Sequence, residues 1–304
     1  MVTDRRTFLK QLGAFALLAA SGRDVMAERR NARSLRKLTI LHTNDVHSHI
    51  DPFPLTDKTY PGMGGYARRQ SYIESVMSEG NDTLVFECGD MFQGTPYFNF
   101  YKGKLEIELM NKMHIDAVTI GNHEFDNGLS VLCDRMEEAQ FPFINSNYDF
   151  AMQRARDLVK PYKIFHKAGI KVGVFGLGVK IDGLITAANS QGTIYNDPIR
   201  VAQQMSDILR SEGCELVVAL THIGYDMGRE VDDLKVAAST TGIDMILGGH
   251  SHTFLPTPMY VKNPSGRSVL VNQVGYAGVN VGRIDVIVND GDIALETSHS
   301  VVMA

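Results

Sequence analysis

The chain has 304 residues, enough for one large domain with a proper core. Apolar residues make up 44% and charged residues 21%, which excludes a disordered chain. With 30 basic against 35 acidic residues the formal charge is -5, so no basic excess supports a nucleic-acid surface.

The first thirty residues read as an address. Arg5 and Arg6 precede Phe8-Leu9, and a short apolar stretch, Leu12 to Ala20, follows. It is too short to span a bilayer and has the basic front and small-residue tail of an export signal. The arginine pair resembles a twin-arginine signal, which implies export to the periplasm. Residues 1–27 are expected to be that signal, cleaved after Val25-Met26-Ala27 or, nearly as well, after Ala20-Ser21-Gly22. Residues 28–37 read as a disordered lead-in and residues 38–304 as one domain. No Cys follows the apolar stretch, so no lipid anchor or other stable membrane anchor is expected there. Cys88, Cys133 and Cys214 are too scattered for a disulfide scaffold, and Cys88, beside Leu84-Val85-Phe86, reads as a buried thiol.

From Leu38 onward, short β-branched runs alternate with helical spacing. Strands are expected at Leu38 to His42, Thr83 to Phe86, Ala117 to Ile120, Leu216 to Leu220 and Met245 to Leu247. Helices are expected at Ala67 to Met77, Leu105 to Met113, Ile199 to Leu209 and Val231 to Ala238. The class is therefore α/β, a mostly central sheet covered by helices. In the tail, Val269 to Asn272, Val281 to Asn289 and Ile293 to Ser298 read as three consecutive antiparallel strands, with Asn289-Asp290-Gly291-Asp292 as a hairpin turn. Gly173 to Gly178 has its glycines in the wrong order for a dinucleotide fingerprint and reads as close packing. Arg68 and Arg69 read as a solvated helix face.

The strand ends hold the chemistry. Asn44-Asp45-Val46-His47 follows the first strand, Gly89-Asp90 the second and Gly121-Asn122-His123-Glu124 the third. Thr221-His222 and Gly248-Gly249-His250-Ser251-His252 follow the next two. In an α/β sheet such ends share one edge, so five clusters spread along the chain are expected to meet in space. Carboxylate, imidazole and amide oxygen form a mixed N/O donor set without thiolate, which suits Mn, Zn, Fe or Co. Seven such groups are enough for two divalent ions sharing a carboxylate. The zinc-protease pattern is absent, because position 127 is Asn where His123-Glu124 would need a second His.

In this order the motifs resemble the binuclear metallophosphoesterases. Thr43-Asn44-Asp45-Val46-His47-Ser48-His49, Gln93-Gly94-Thr95-Pro96 and Gly121-Asn122-His123-Glu124-Phe125-Asp126 are similar to the branch of 5'-nucleotidases, UDP-sugar hydrolases and 2',3'-cyclic phosphodiesterases. The resemblance implies a four-layer αββα sandwich over residues 38–304. It also implies one ion on Asp45, His47 and His252, a second on Asn122, His222 and His250, and Asp90 bridging both. His123 is then the catalytic histidine and Asp126 the carboxylate that orients it. The implied reaction is hydrolysis of a small phosphoester of the 5'-nucleotide type by a water that two cations activate. Cyclic nucleotides and UDP-sugars stay open as substrates. A sulfate thiol hydrolase shares much of the ligand set, but the Asn-His-Glu histidine favours phosphoesters. Two-domain 5'-nucleotidases carry a further C-terminal domain that stacks the base, so a separately encoded nucleotide-binding domain is an open partner here.

Overall fold

A computed structural model describes residues 35–289 and 292–304. The expected signal at 1–27, the lead-in as far as residue 34 and the turn at Asp290-Gly291 lie outside the described residues. The elements in chain order begin with β1 (Arg36–Thr43), α1 (Tyr66–Met77), β2 (Asp82–Glu87), α2 (Pro96–Tyr101), α3 (Lys104–Met110), β3 (Ala117–Thr119) and α4 (Leu129–Glu138). Then come β4 (Phe143–Ile144), β5 (Tyr148–Asp149), α5 (Gln153–Leu158), β6 (Tyr162–Lys167), β7 (Ile170–Gly178), α6 (Ala187–Ser190) and β8 (Ile194–Tyr195). The chain continues through α7 (Pro198–Ser211), β9 (Leu216–His222), α8 (Asp233–Ser239), β10 (Met245–Leu247), β11 (Met259–Lys262), β12 (Ser268–Asn272), β13 (Asn280–Asn289) and β14 (Asp292–Val302).

Two six-stranded sheets result, in the orders β14-β13-β1-β2-β3-β4 and β11-β12-β10-β9-β7-β6. The strands are apolar on both faces, which is why they sit inside. Leu38 and Ile40 of β1 and Leu84 and Phe86 of β2 meet Val172, Val174, Leu216 and Val218 of the second sheet in a core between the sheets. Leu41, Val85 and Val118 face the other way, onto Ile73, Val76, Ile107 and Leu132 of the helices. On the far side Val217, Ala219 and Ile246 pack on Val201, Leu209 and Val236. The layers are helix, sheet, sheet, helix, the sandwich that the resemblance implied. Helix α7 is fixed at its start by Asp197, which accepts from the amides of Ile199 (2.8 Å) and Arg200 (3.1 Å), with Pro198 in the first turn.

Three readings need correction. A single central sheet becomes two, with β1 to β4, β13 and β14 in one and β6, β7 and β9 to β12 in the other, because strands apolar on both faces bury one face against a second sheet. Val269–Asn272 does not join the tail hairpin. As β12 it runs parallel to β10 in the second sheet, with Val269 and Val271 facing one core and Leu270 the other, while β13 pairs antiparallel with β1 and β14. The lead-in ends early: β1 starts at Arg36, whose guanidinium grips both carboxylate oxygens of Glu215 at 2.9 and 2.6 Å. The glycines of β7 do serve packing, since a Cβ on Gly173 would press Leu209 and Cys214. All three cysteines are free and buried. Among the described residues, no helix is long and apolar enough to cross a membrane.

Candidate metal centre

Strands β1, β2 and β3 run parallel in one sheet, and β9 and β10 run parallel in the other. Their C-terminal ends open onto one shared rim. Asp45 and His47 follow β1, Asp90 follows β2, Asn122 and His123 follow β3, His222 ends β9, and His250 and His252 follow β10. The two sheets are bonded across that rim: the amide of His250 donates to Asp45 Oδ2 (2.9 Å), and the His250 Nδ1 lies 3.0 Å from Asn122 Oδ1.

The donor atoms fall into overlapping groups. Asp45, His47 and His252 offer one set of ligand atoms within 4.8 Å of one another, and Asp90, His222 and His250 offer another. A third set joins His47, Asp90 and His123. In the first set His47 Nε2 lies 3.0 Å from His252 Nε2 and 3.8 Å from Asp45 Oδ1, and His252 Nε2 lies 3.3 Å from that oxygen. In the second, His222 Nε2 is 3.0 Å from Asp90 Oδ2 and yet has no hydrogen-bond partner. Two donor atoms side by side without facing each other suit a common ion, because ligands at about 2.0–2.2 Å from one metal sit about 3 Å apart. The tautomers fit too. His222 Nδ1 donates to the carbonyl of Cys88 (2.8 Å) and His47 Nδ1 lies 3.3 Å from that of Phe92, which leaves both Nε2 lone pairs turned into the site. The residues therefore fit two divalent ions.

The backbone is bent to achieve this. Asp45, His47, Asp90, His250 and His252 all have positive φ, between 48° and 79°. Non-glycine residues in that region cost about 1–3 kcal/mol each, and such strain collects at functional sites. Gly249 brings the second sheet close: a Cβ there would lie 2.8 Å from the Cys88 carbonyl and 2.9 Å from His222 Nδ1.

Charge is concentrated below the rim. Burial works against a charged His222, but Asp90 and Asp45 outweigh it and raise its pKa to about 10. Burial likewise opposes ionised Asp90, yet His222 and His47 hold its carboxyl below the usual range. His250 is pushed down to about 4 by burial and by His222. At the mouth, His123 Nδ1 meets Asp126 Oδ2 at 2.8 Å, and the His123 amide donates to Asp90 Oδ1 (2.8 Å). Burial lowers the His123 pKa, but the bond to Asp126 and the charge of Asp90 overcome this and raise it.

All nine residues singled out in the sequence converge here. Others were passed over. Glu124 is buried and accepts from four amides, those of Asp90 (2.9 Å), Met91 (2.9 Å), Phe92 (3.3 Å) and Gly121 (2.6 Å), so one carboxylate ties the β2 end to the β3 end. Its place between His123 and Phe125 was its only sequence signal. Asn44 donates to Asp45 Oδ2 (2.6 Å) and to the Gly275 carbonyl (2.7 Å), and Gln273 donates to that of Gly249 (2.7 Å). Tyr276 stacks on His252, with centroids 5.0 Å apart, and meets His49 Nε2 at 2.9 Å. Arg69 departs from its expected solvated face: it is 2% exposed, lies 3.7 Å from Glu87 and covers the ring of Tyr66.

Known proteins resemble this chain. The profile of the calcineurin-like phosphoesterases matches residues 38–254. The snake venom 5'-nucleotidase of Crotalus adamanteus is 31% identical over 287 residues, covering 88% of this chain and 48% of that protein. The trifunctional nucleotide phosphoesterase protein YfkN of Bacillus subtilis (strain 168) is 32% identical over 282 residues, covering 82% of this chain and 18% of its own length. A solved 5'-nucleotidase precursor from Thermus thermophilus superposes with a TM-score of 0.81 at 33% identity, over 88% of this chain and 54% of that one. The chain thus spans about half the length of the venom and Thermus proteins. Since the matched span holds every one of the convergent donor residues, from Asp45 to His252, this chain belongs to the calcineurin-like phosphoesterase family.

Proposed function

We propose that the chain is a metal-dependent phosphoesterase that hydrolyses phosphate monoesters of the 5'-nucleotide type. The observation that carries the reading is the pair of three-residue donor groups, Asp45 with His47 and His252, and Asp90 with His222 and His250, at the shared rim of two sheets. Asp45, His47 and His252 would hold one divalent ion, and Asn122, His222 and His250 the other, with Asp90 between them. When bound, the pair supplies a water of lowered pKa and neutralises charge on the phosphoryl oxygens. The chain's own part is orientation and proton delivery. Asp126 accepts from His123 Nδ1, which fixes the ring and leaves Nε2 for the leaving oxygen. As the phosphorus–oxygen bond to the alcohol breaks, His123 gives that oxygen its proton, a service typically worth about 10²–10⁴-fold.

Purified chain stripped with a chelator should be inactive on AMP and regain turnover with Mn, Zn, Fe or Co, at two ions per chain by elemental analysis. Turnover that survives removal of all metal would overturn the reading. We further propose that residues 1–27 direct export to the periplasm, on the strength of Arg5-Arg6 ahead of the apolar run. Substitution of both arginines by lysine should leave the protein in the cytoplasmic fraction, and unchanged fractionation would argue against that route.

A further inference from the structure

Two consecutive residues of the rim, His47 and Ser48, hold φ of 48° and 55°. Neither is glycine, so each position costs about 1–3 kcal/mol and persists only where its surroundings fix it. Backbone bonds supply part of that hold: the His47 amide donates to the Asp90 carbonyl (2.9 Å) and the Ser48 amide to that of Met91 (3.0 Å). Gly94, with φ of 116°, lets the loop before α2 lie against the turn, since a Cβ there would sit 2.6 Å from the His47 carbonyl oxygen. Side chains supply the rest. Thr95 Oγ1, just before α2, shares its proton between the Ser48 carbonyl (2.8 Å) and Ser48 Oγ (3.0 Å). The Ser48 hydroxyl therefore turns its own proton the other way, to Glu106 Oε1.

Glu106 belongs to neither donor group and comes from another element, the first turn of α3. It is fully buried, and burial raises its pKa against the bond from Ser48. A carboxyl in the core is costly for stability by itself, so its presence points to the bond that it makes. That bond acts on one side of the rim. The turn it holds carries His47 and follows Asp45, two of the three donors in the first group. The second group, Asp90 with His222 and His250, is reached by none of the side-chain bonds of Thr95, Ser48 and Glu106. We propose that Glu106 is a positioning residue for one ion: through the Ser48 hydroxyl it keeps the His47 turn left-handed, so that the first donor group depends on it and the second does not. The inference deepens the metal-dependent reading given above and rests on it.

Calorimetric titration of the metal-free full chain with Zn reads both ions. Wild type should take up two, and His252→Ala, which removes a donor of the first group alone, marks the binding constant that belongs to that group. Glu106→Leu fills the same space without an acceptor and should weaken that constant about 10–100-fold, with the other unchanged. Glu106→Gln keeps an acceptor for the Ser48 hydroxyl and should recover most of the loss. If Glu106→Leu does not fold, Ser48→Ala makes the same test, since it removes only the hydroxyl, and the same single constant should fall. Equal weakening of both ions would overturn the proposal, because Glu106 then only supports the fold; weakening of neither would overturn it because the turn then holds without Glu106. Wild type that takes up two ions yet hydrolyses no phosphoester would sink the phosphoesterase reading and leave this proposal to the titration. Uptake of fewer than two ions by wild type would overturn both.

Discussion

Asp90 and His123 are two residues of the same rim with separable duties. Asp90 lies in both of the overlapping donor sets that also contain His222 or His123, and against its burial three histidines hold its carboxyl ionised. His123 is more open, bonded to Asp126, and central to neither ion's group of three. Hence His123→Ala should cut kcat on AMP about 10²–10⁴-fold while two ions per chain are retained. Asp90→Ala should instead lose both ions under the proposed assignment, in which one carboxylate serves two sites. Elemental analysis beside steady-state rates reads the difference, and full metal content in the Asp90 variant would contradict the bridging assignment. Both residues were legible in the sequence only jointly, since Gly-Asp or Asn-His alone is ordinary loop polarity. It was five such clusters at successive strand ends, in the order of a known family, that marked them. Arg69 was misread because helix spacing says nothing of a partner such as Glu87, which lies on a neighbouring strand.

At the scale of elements, the rim depends on how strand ends are tied together. Each of these strands was visible from its apolar run, but the tie made by Glu124 was not. Its carboxylate accepts on both oxygens, from amides beyond β2 and from Gly121 beyond β3. Glu124→Gln would turn an amide donor toward those N–H groups and leave at least one buried donor unpaired. Such a loss costs about 1–3 kcal/mol, more where charge is removed. The variant should therefore unfold at lower urea and bind its ions more weakly, whereas unchanged values for both would show that the tie positions nothing. The tail strand Val269–Asn272 shows the opposite limit. Its apolar run was read correctly, yet its partner strands depend on which core each face meets.

At the scale of the whole molecule, the two sheets are joined by a largely apolar core with a polar contact inside it. His42 of β1 accepts at Nε2 from Asn272 Nδ2 of β12, at 2.9 Å, and is fully buried. Burial lowers its pKa to about 3, so the folded chain binds fewer protons there than the unfolded chain, whose histidine titrates near 6.5. This group's contribution is intact above about pH 6.5 and is lost progressively as pH falls toward 3. The slope is at most about 1.4 kcal/mol per pH unit. Urea unfolding of metal-free protein at pH 7 and pH 5 should show a smaller acid loss for His42→Leu than for wild type. Equal losses would mean that His42 is not the sensitive group.

Composition and apolar periodicity were enough for the α/β class and for the polar clusters at the strand ends, because a strand's burial is written in residue types. The nine site residues and the sandwich were instead implied by the resemblance of those clusters to the binuclear metallophosphoesterases. The division into two sheets, the partners of β12, the burial of Arg69 and the Glu124 tie were decided by tertiary structure. Each depends on contacts between segments far apart in the chain, and long-range contact energies leave no local pattern in sequence.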